Sequence, residues 1–195
     1  MRGVARVIGA FAGAILAAAS CATVPPAPAP SPAPAVAIAR TRPERTNFLE
    51  TSHYTDVVSF LDSLRAVNAP LAFGSIGRSN EGREIPYVIA SRPLVSTPAE
   101  AKRLRRPIVY VQGNIHAGEV EGKDALLALV RDLVFSPKPN VLDSIVLIVV
   151  PIYNADGNER FAPQSVNRTE QNGPELVGQR ANAQGLDLNR DYVKA

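Results

Sequence analysis

Residues 145–152 read Ile-Val-Leu-Ile-Val-Val-Pro-Ile, eight positions without one polar side chain. A continuous, β-branched run of this length is the pattern of a strand buried on both faces. Such a strand needs cover above and below, so the chain must fold in layers. The preceding segments supply the rest of the unit. Residues 108–112 form a shorter β-like run, and residues 119–135 place apolar side chains at Leu126, Leu129, Val130 and Leu133, the spacing of one helix face. Ser136-Pro137 stops that helix. Strand, helix and strand in this order make a βαβ unit with a right-handed crossover and parallel strands. The fold class expected is α/β, a mixed, largely parallel sheet flanked by helices.

Upstream, residues 73–76 and 85–90 are β-like and enclose the polar turn Gly-Arg-Ser-Asn-Glu-Gly at 77–82, a hairpin pattern. Thr55 can cap a helix reaching about Val67, with Val57, Phe60, Leu61 and Leu64 on its inner face. In open α/β sheets ligands bind beyond the carboxyl ends of the strands. His116 follows the first strand of the βαβ unit and Asn154 to Gly157 follow the second, so these two polar clusters should share one sheet edge.

The first 43 residues do not read as part of this fold. Arg2 and Arg6 precede an apolar stretch at 7–19 that is short for a membrane span, and small residues surround Cys21. Residues 1–21 therefore read as an export signal of the lipoprotein type, with Cys21 as the lipidated residue. Ala18 stands where that signal usually has Leu, and cleavage after Ala22 to release a secreted protein is the alternative. Residues 22–43 are a linker; their Pro/Ala-rich part at 25–34 favours extended polyproline II and makes a semi-rigid spacer. The location expected is outside the cytoplasm, on a membrane through a lipid anchor or free.

The chain carries one cysteine, so disulfides, a thiolate zinc site and a cysteine nucleophile are all excluded from the folded part. The net charge of +3 owes much to the leader and to Lys102, Arg103, Arg105 and Arg106, which read as a solvated loop. No aromatic interleaving or binding module accompanies that charge, and nucleic acid is not expected as a partner.

Three stretches carry chemistry. In Gly113-Asn-Ile-His116-Ala-Gly-Glu119, an imidazole and a carboxylate three positions apart can reach one cation if the turn is tight, and Ala117 and Gly118 are small enough to allow it. Zinc accepts both ligand types. The same residues also fit a loop histidine and a glutamate favouring a helix N-terminus. Asn154-Ala-Asp156-Gly157 is a tight turn after a buried strand. The stretch 178–191 is polar, contains Gly, and ends in Asn189-Arg190-Asp191; by composition alone it reads as an exposed loop, although Arg offers a planar fork to carboxylates and oxyanions.

In their order and spacing these three stretches resemble the zinc metallocarboxypeptidases, the carboxypeptidase A-like group. Arg-Ala-Asn-Ala-Gln-Gly-Leu-Asp-Leu-Asn-Arg at 180–190 is most similar to the carboxypeptidase E- and N-like branch and its bacterial relatives. The resemblance runs from about residue 55 to the end, and residues 44–195 are identified as the N-terminal part of such a domain. It implies one zinc ion held by His116 and Glu119, a carbonyl-polarising Arg180, and Asn189 and Arg190 gripping the substrate's terminal carboxylate. Arg168 is a second candidate for the role of Arg180. The substrate implied is a peptide or a peptidoglycan stem peptide.

The family pattern continues past the Asn–Arg pair with a third zinc ligand, a glutamate base and a tyrosine that closes over the substrate. Here the other histidine is His53, upstream of the sheet. The expectation is therefore an incomplete site without peptidase activity. Ala155 replaces the common Pro of the turn, and Asp191-Tyr192 replaces the common Asn–aromatic pair. A zinc deacylase of the aspartoacylase-like branch and a non-catalytic module binding peptide C-termini are the alternatives.

Overall fold

The computed structural model describes residues 39–190 and 192. The export signal, Cys21 and the Pro/Ala-rich stretch of the linker lie outside the described residues, as does Asp191. The elements, in chain order, are α1 (Arg42–Arg45), α2 (Tyr54–Ala66), the strands β1 (Ala72–Arg78) and β2 (Glu84–Ala90), and α3 (Pro98–Leu104). There follow β3 (Ile108–Gln112), α4 (Val120–Phe135), β4 (Val146–Val150), α5 (Ala155–Asn158), β5 (Ala162–Pro163), α6 (Gln164–Asn167) and β6 (Leu176–Val177). A final 3-10 turn spans Leu188–Arg190. Among the described residues no helix is long and apolar enough to cross a membrane.

The main sheet runs β1-β2-β4-β3. It is mixed. The β3–β4 pair is parallel, from Ile108↔Val146 to Gln112↔Val150, as the βαβ reading requires. The hairpin joins the sheet through β2, antiparallel to β4, so the other two ladders are antiparallel and the parallel character of the described sheet rests on that one pair. β4 is buried along its length except for a half-buried Ile148. Its alternate side chains meet different layers, as the two-residue strand period dictates. Leu147 and Val149 join Val88 and Ala90 against the apolar faces of α2 and α4. Val146, with Ile89, packs instead against Val95, Ala101 and Leu104 around α3. β3 is an edge strand, and its Ile108 and Tyr110 are about half exposed.

Packed structure reaches back to Thr41 and Pro43, both buried. Glu44 accepts a hydrogen bond from the Thr41 backbone N–H at 2.7 Å, closing a capping box on α1. Its carboxylate also takes two bonds from Arg131 on α4, at 2.6 and 2.8 Å, which pins this first turn to the core.

Two local expectations are corrected. α2 starts at Tyr54 with His53 as its N-cap rather than Thr55, because the Asp56 carboxylate reaches back to the His53 N–H at 3.0 Å. The basic stretch at 102–106 is not a loop. Thr97 and Glu100 form a reciprocal cap with Pro98 at the first helical position, so Lys102 and Arg103 fall in the last turn of α3, where cations favour the helix dipole. Arg105 then takes a left-handed conformation with φ 52°, and Arg106 donates to the Arg92 and Leu142 carbonyls.

Candidate metal centre

The parallel pairing of β3 and β4 brings their carboxyl ends to one edge, and the backbone ladder continues past both. The Gly113 N–H donates to Val150 O at 2.9 Å, that of Tyr153 to Gly113 O at 3.1 Å, and that of Asn154 to Asn114 O at 3.0 Å. Asn114, with φ 63°, turns the chain away from the sheet and aims the next residues across its edge; Asn tolerates this left-handed region better than most side chains.

Residues 154–157, expected as a tight turn, begin the single buried turn of α5. The Asn154 side chain caps it, accepting from Gly157 N–H at 2.9 Å, while its Nδ2 points at the carbonyls of Ile115, Arg180 and Ala181 at 3.2–3.4 Å. One buried amide thus ties the histidine loop, the α5 turn and the arginine segment together. The Ala117 N–H adds a bond to Gln179 O at 3.1 Å. Gly178 makes this approach possible: a Cβ there would lie 2.7 Å from Gly157 O and 2.9 Å from the Ala117 side chain. The stretch that composition alone read as exposed is therefore anchored, with Val177, Gly178 and Asn182 buried.

His116 is 4 % exposed and sits between two carboxylates. Its Nδ1 lies 2.9 Å from Glu119 Oε1 and its Nε2 lies 2.8 Å from Asp187 Oδ1. A neutral imidazole has one N–H to offer. Spent on Asp187, it leaves the Nδ1 lone pair facing a carboxylate oxygen, two acceptors directed at one point. That is the donor arrangement a cation resolves, and a histidine whose far nitrogen is held by a carboxylate is the usual form of a metal-ligating imidazole.

The charged groups around this pair are interlocked. Asp187 Oδ2 accepts a two-pronged contact from Arg180, Nε at 3.0 Å and Nη2 at 2.8 Å. The bonds from His116 and then Arg180 outweigh desolvation and hold the Asp187 carboxyl well below the ordinary carboxylate range. Glu119 stands at the N-cap position of α4 without a side-chain capping bond, and its carboxylate accepts from Arg168 Nη1 at 2.5 Å. Burial pushes its carboxyl up, but the bonds from His116 and Arg168 prevail and the net displacement is downward. Both carboxylates are therefore ionised at neutral pH.

The structure thus brings His116, Glu119 and Arg180 to one place. Asn189 and Arg190 follow on the exposed 3-10 turn, where the Asn189 N–H bonds Asp187 Oδ1 at 2.9 Å and the Arg190 guanidinium reaches only the Asn189 carbonyl among the described residues. His53 lies elsewhere, stacked on Phe161 with ring centroids 4.1 Å apart. Asp187 has no role that its local sequence announces. The signal that could have found it is the demand of a buried ligand histidine for a carboxylate on its second nitrogen. Arg168 contacts Glu119, and nothing in its local sequence announces this.

A family profile described as zinc carboxypeptidase matches residues 57–195, and the chain belongs to that family. Carboxypeptidase 2 of Trichophyton rubrum is 30 % identical over 138 residues, covering 69 % of this chain and 22 % of its own length. Carboxypeptidase Z of Homo sapiens is 34 % identical over 125 residues, covering 60 % of this chain and 18 % of its own. The chain therefore spans about a fifth of the curated relatives it matches. Among solved structures, a metallo-carboxypeptidase from Burkholderia cenocepacia superposes with a TM-score of 0.55 at 20 % identity, over 75 % of this chain and 34 % of that one, a likeness of fold.

The family implies one zinc ion, and the donor set fits it: one imidazole nitrogen and one carboxylate oxygen converge, a ligand pairing zinc accepts. Asp187 stands behind the other ring nitrogen, so the site contributes two donors. Among the described residues no group of three or more His, Cys, Asp or Glu side chains is placed to hold a metal.

Proposed function

We propose that this chain supplies the first two zinc ligands and the anion-binding arginines of a carboxypeptidase that removes C-terminal residues from peptides, peptidoglycan stem peptides included, outside the cytoplasm. The observation that carries the reading is the convergence of His116 Nδ1 and Glu119 Oε1 with Asp187 fixed behind the ring. When bound, zinc lowers the pKa of a water ligand and polarises the scissile carbonyl. The residues do the rest. Asp187 keeps the proton on Nε2 and the lone pair on Nδ1. Arg180, held in plane by Asp187, presents its remaining N–H groups to negative charge developing on the carbonyl oxygen. Arg190, whose guanidinium meets no carboxylate in the described residues, takes the substrate's terminal carboxylate with Asn189, which restricts cleavage to chain ends.

A catalytic zinc takes three protein ligands and an open position. His116 and Glu119 provide two, and we propose that these 195 residues alone bind zinc without hydrolysing peptides. The exported location and the lipid on Cys21 belong to the same proposal and rest on the leader sequence.

The test pairs a peptide bearing a free C-terminal carboxylate with its C-terminal amide, using the whole protein in which this chain occurs. Release of the last residue from the free acid only, abolished by a chelator and by His116→Ala, is the expected result. Equal cleavage of the amide, or release of an acyl group in its place, would sink the carboxypeptidase reading.

A further inference from the structure

Arg168 has no place in the chemistry above, yet it is built into the centre with care. Its side chain is 19 % exposed and its Nη1 lies 2.5 Å from Glu119 Oε1, the same oxygen that faces His116 Nδ1. The segment that carries it is fastened on several sides. Its N–H donates to Gln164 O at 2.8 Å, its carbonyl accepts from Gln164 Nε2 at 2.5 Å, and the neighbouring Asn167 side chain donates to Arg160 O and Val177 O at 3.0 and 2.8 Å. Gly118 opens the path to the site, since a Cβ there would stand 3.4 Å from Arg168 Cδ and 3.0 Å from Gly178 O. Arg168 also lines a cleft of about 320 Å³ shared with Arg180.

We propose that Arg168 is a positioning residue that sets the strength of the metal centre: it is the cation that holds Glu119 before zinc binds, and it keeps zinc affinity lower than His116 and Glu119 would otherwise give. The inference rests on the zinc-ligand reading of those two residues. A guanidinium on the oxygen that converges with His116 Nδ1 would act against a bound ion twice. It occupies a lone pair that the ion must share or take, and it places a like charge beside a divalent cation. The sign of its effect is therefore opposite to that of an outer carboxylate such as Asp187, which strengthens its ligand. Were the contact kept with zinc bound, Arg168 would draw electron density from Glu119, and the zinc held there would supply stronger carbonyl polarisation.

The experiment is zinc titration of the full chain against a chromophoric chelator, for the wild type and for Arg168→Met, Arg168→Lys, His116→Ala and Glu119→Ala, with circular dichroism to establish folding and melting temperatures of the metal-free forms. Arg168→Met should bind zinc about tenfold tighter while its metal-free form melts lower, and raised salt should shrink the gain. Arg168→Lys, which keeps the charge, should stay within a few fold of wild type. A residue with a purely structural role would not tighten the site when removed. Equal or weaker zinc binding by Arg168→Met, with His116→Ala and Glu119→Ala both impaired, overturns the inference and leaves the ligand assignment standing. Zinc binding untouched by His116→Ala and Glu119→Ala overturns the assignment itself, and the inference with it.

Discussion

Asp187 Oδ1 and His116 Nε2 are separated by 71 positions in the chain and by 2.8 Å in the fold. This contact decides which ring nitrogen keeps a lone pair. Substituting Asp187 with Asn, of nearly the same shape, permits the opposite tautomer and weakens the hold on the ring. Loss of such an outer partner typically lowers metal affinity about 10- to 100-fold. Chelator competition on Asp187→Asn should return a weaker zinc site with an unchanged far-ultraviolet dichroism spectrum. An unchanged affinity would mean the carboxylate serves only Arg180.

Asn154 joins three segments through one buried amide, so Asn154→Ala takes that donor from the Ile115 and Arg180 carbonyls, leaves Ala181 O to Gln179 Nε2, and leaves the Gly157 N–H short of its cap. Buried groups left unsatisfied cost about 1–3 kcal/mol each where no water reaches them. A loss of about 3 kcal/mol in urea unfolding, with zinc binding weakened as well, is the expected outcome. A loss below about 0.5 kcal/mol would show that the loops hold without this amide.

The Glu44–Arg131 pair predicts acid sensitivity. The hydrogen bonds from Arg131 lower the Glu44 carboxyl from an ordinary 4.5 to about 2, against the opposing effect of burial. A depressed folded-state value means the unfolded chain takes up the proton first, so the stabilisation is complete above about pH 4.5 and is lost as the pH falls towards 2. Glu44→Gln should be less stable than wild type at pH 7, and the gap should close by about pH 2. Thermal melts of both proteins over pH 2–7 measure it; a gap that does not narrow refutes the assignment.

Lys123 predicts the opposite slope. Its Nζ is buried and donates to Asn158 Oδ1 at 2.6 Å and to the Ser52 carbonyl, with no carboxylate in contact among the described residues. Desolvation lowers it from 10.5 to about 8. The folded chain then releases its proton before the unfolded one does, so wild-type stability relative to Lys123→Met should rise as pH increases from about 8 to about 10.5. The full rise is of order 3 kcal/mol. Denaturant titrations of both proteins at pH 7.5, 9 and 10.5 would reveal it, and parallel curves would count against a depressed amine.

The βαβ unit and the two site loops were legible because they are written in local periodicity: an unbroken β-branched run admits few conformations, and helix spacing over 119–135 admits one. Helix starts are less legible where the end is set by a side chain reaching back along the chain, as Asp56 does to His53 and Glu100 to Thr97. Such contacts leave only a short trace at a spacing of three. The mixed strand order was less legible, since which edge of β4 the hairpin joins depends on packing far from its own sequence.

For the site, the sequence by itself determined the donor types, their spacing at 116 and 119, and the arginines at 180 and 190, because ligand chemistry belongs to the side chain. Only the tertiary structure decided the partners: Asp187 for His116, Arg168 for Glu119, and Asn154 as the tie between loops. Those contacts join residues 26 to 71 positions apart. A hydrogen bond forms over a few tenths of an ångström in distance and a narrow range of angle, and no local pattern carries that information; the parallel pairing of β3 and β4 and the close approach at Gly178 bring the groups within reach.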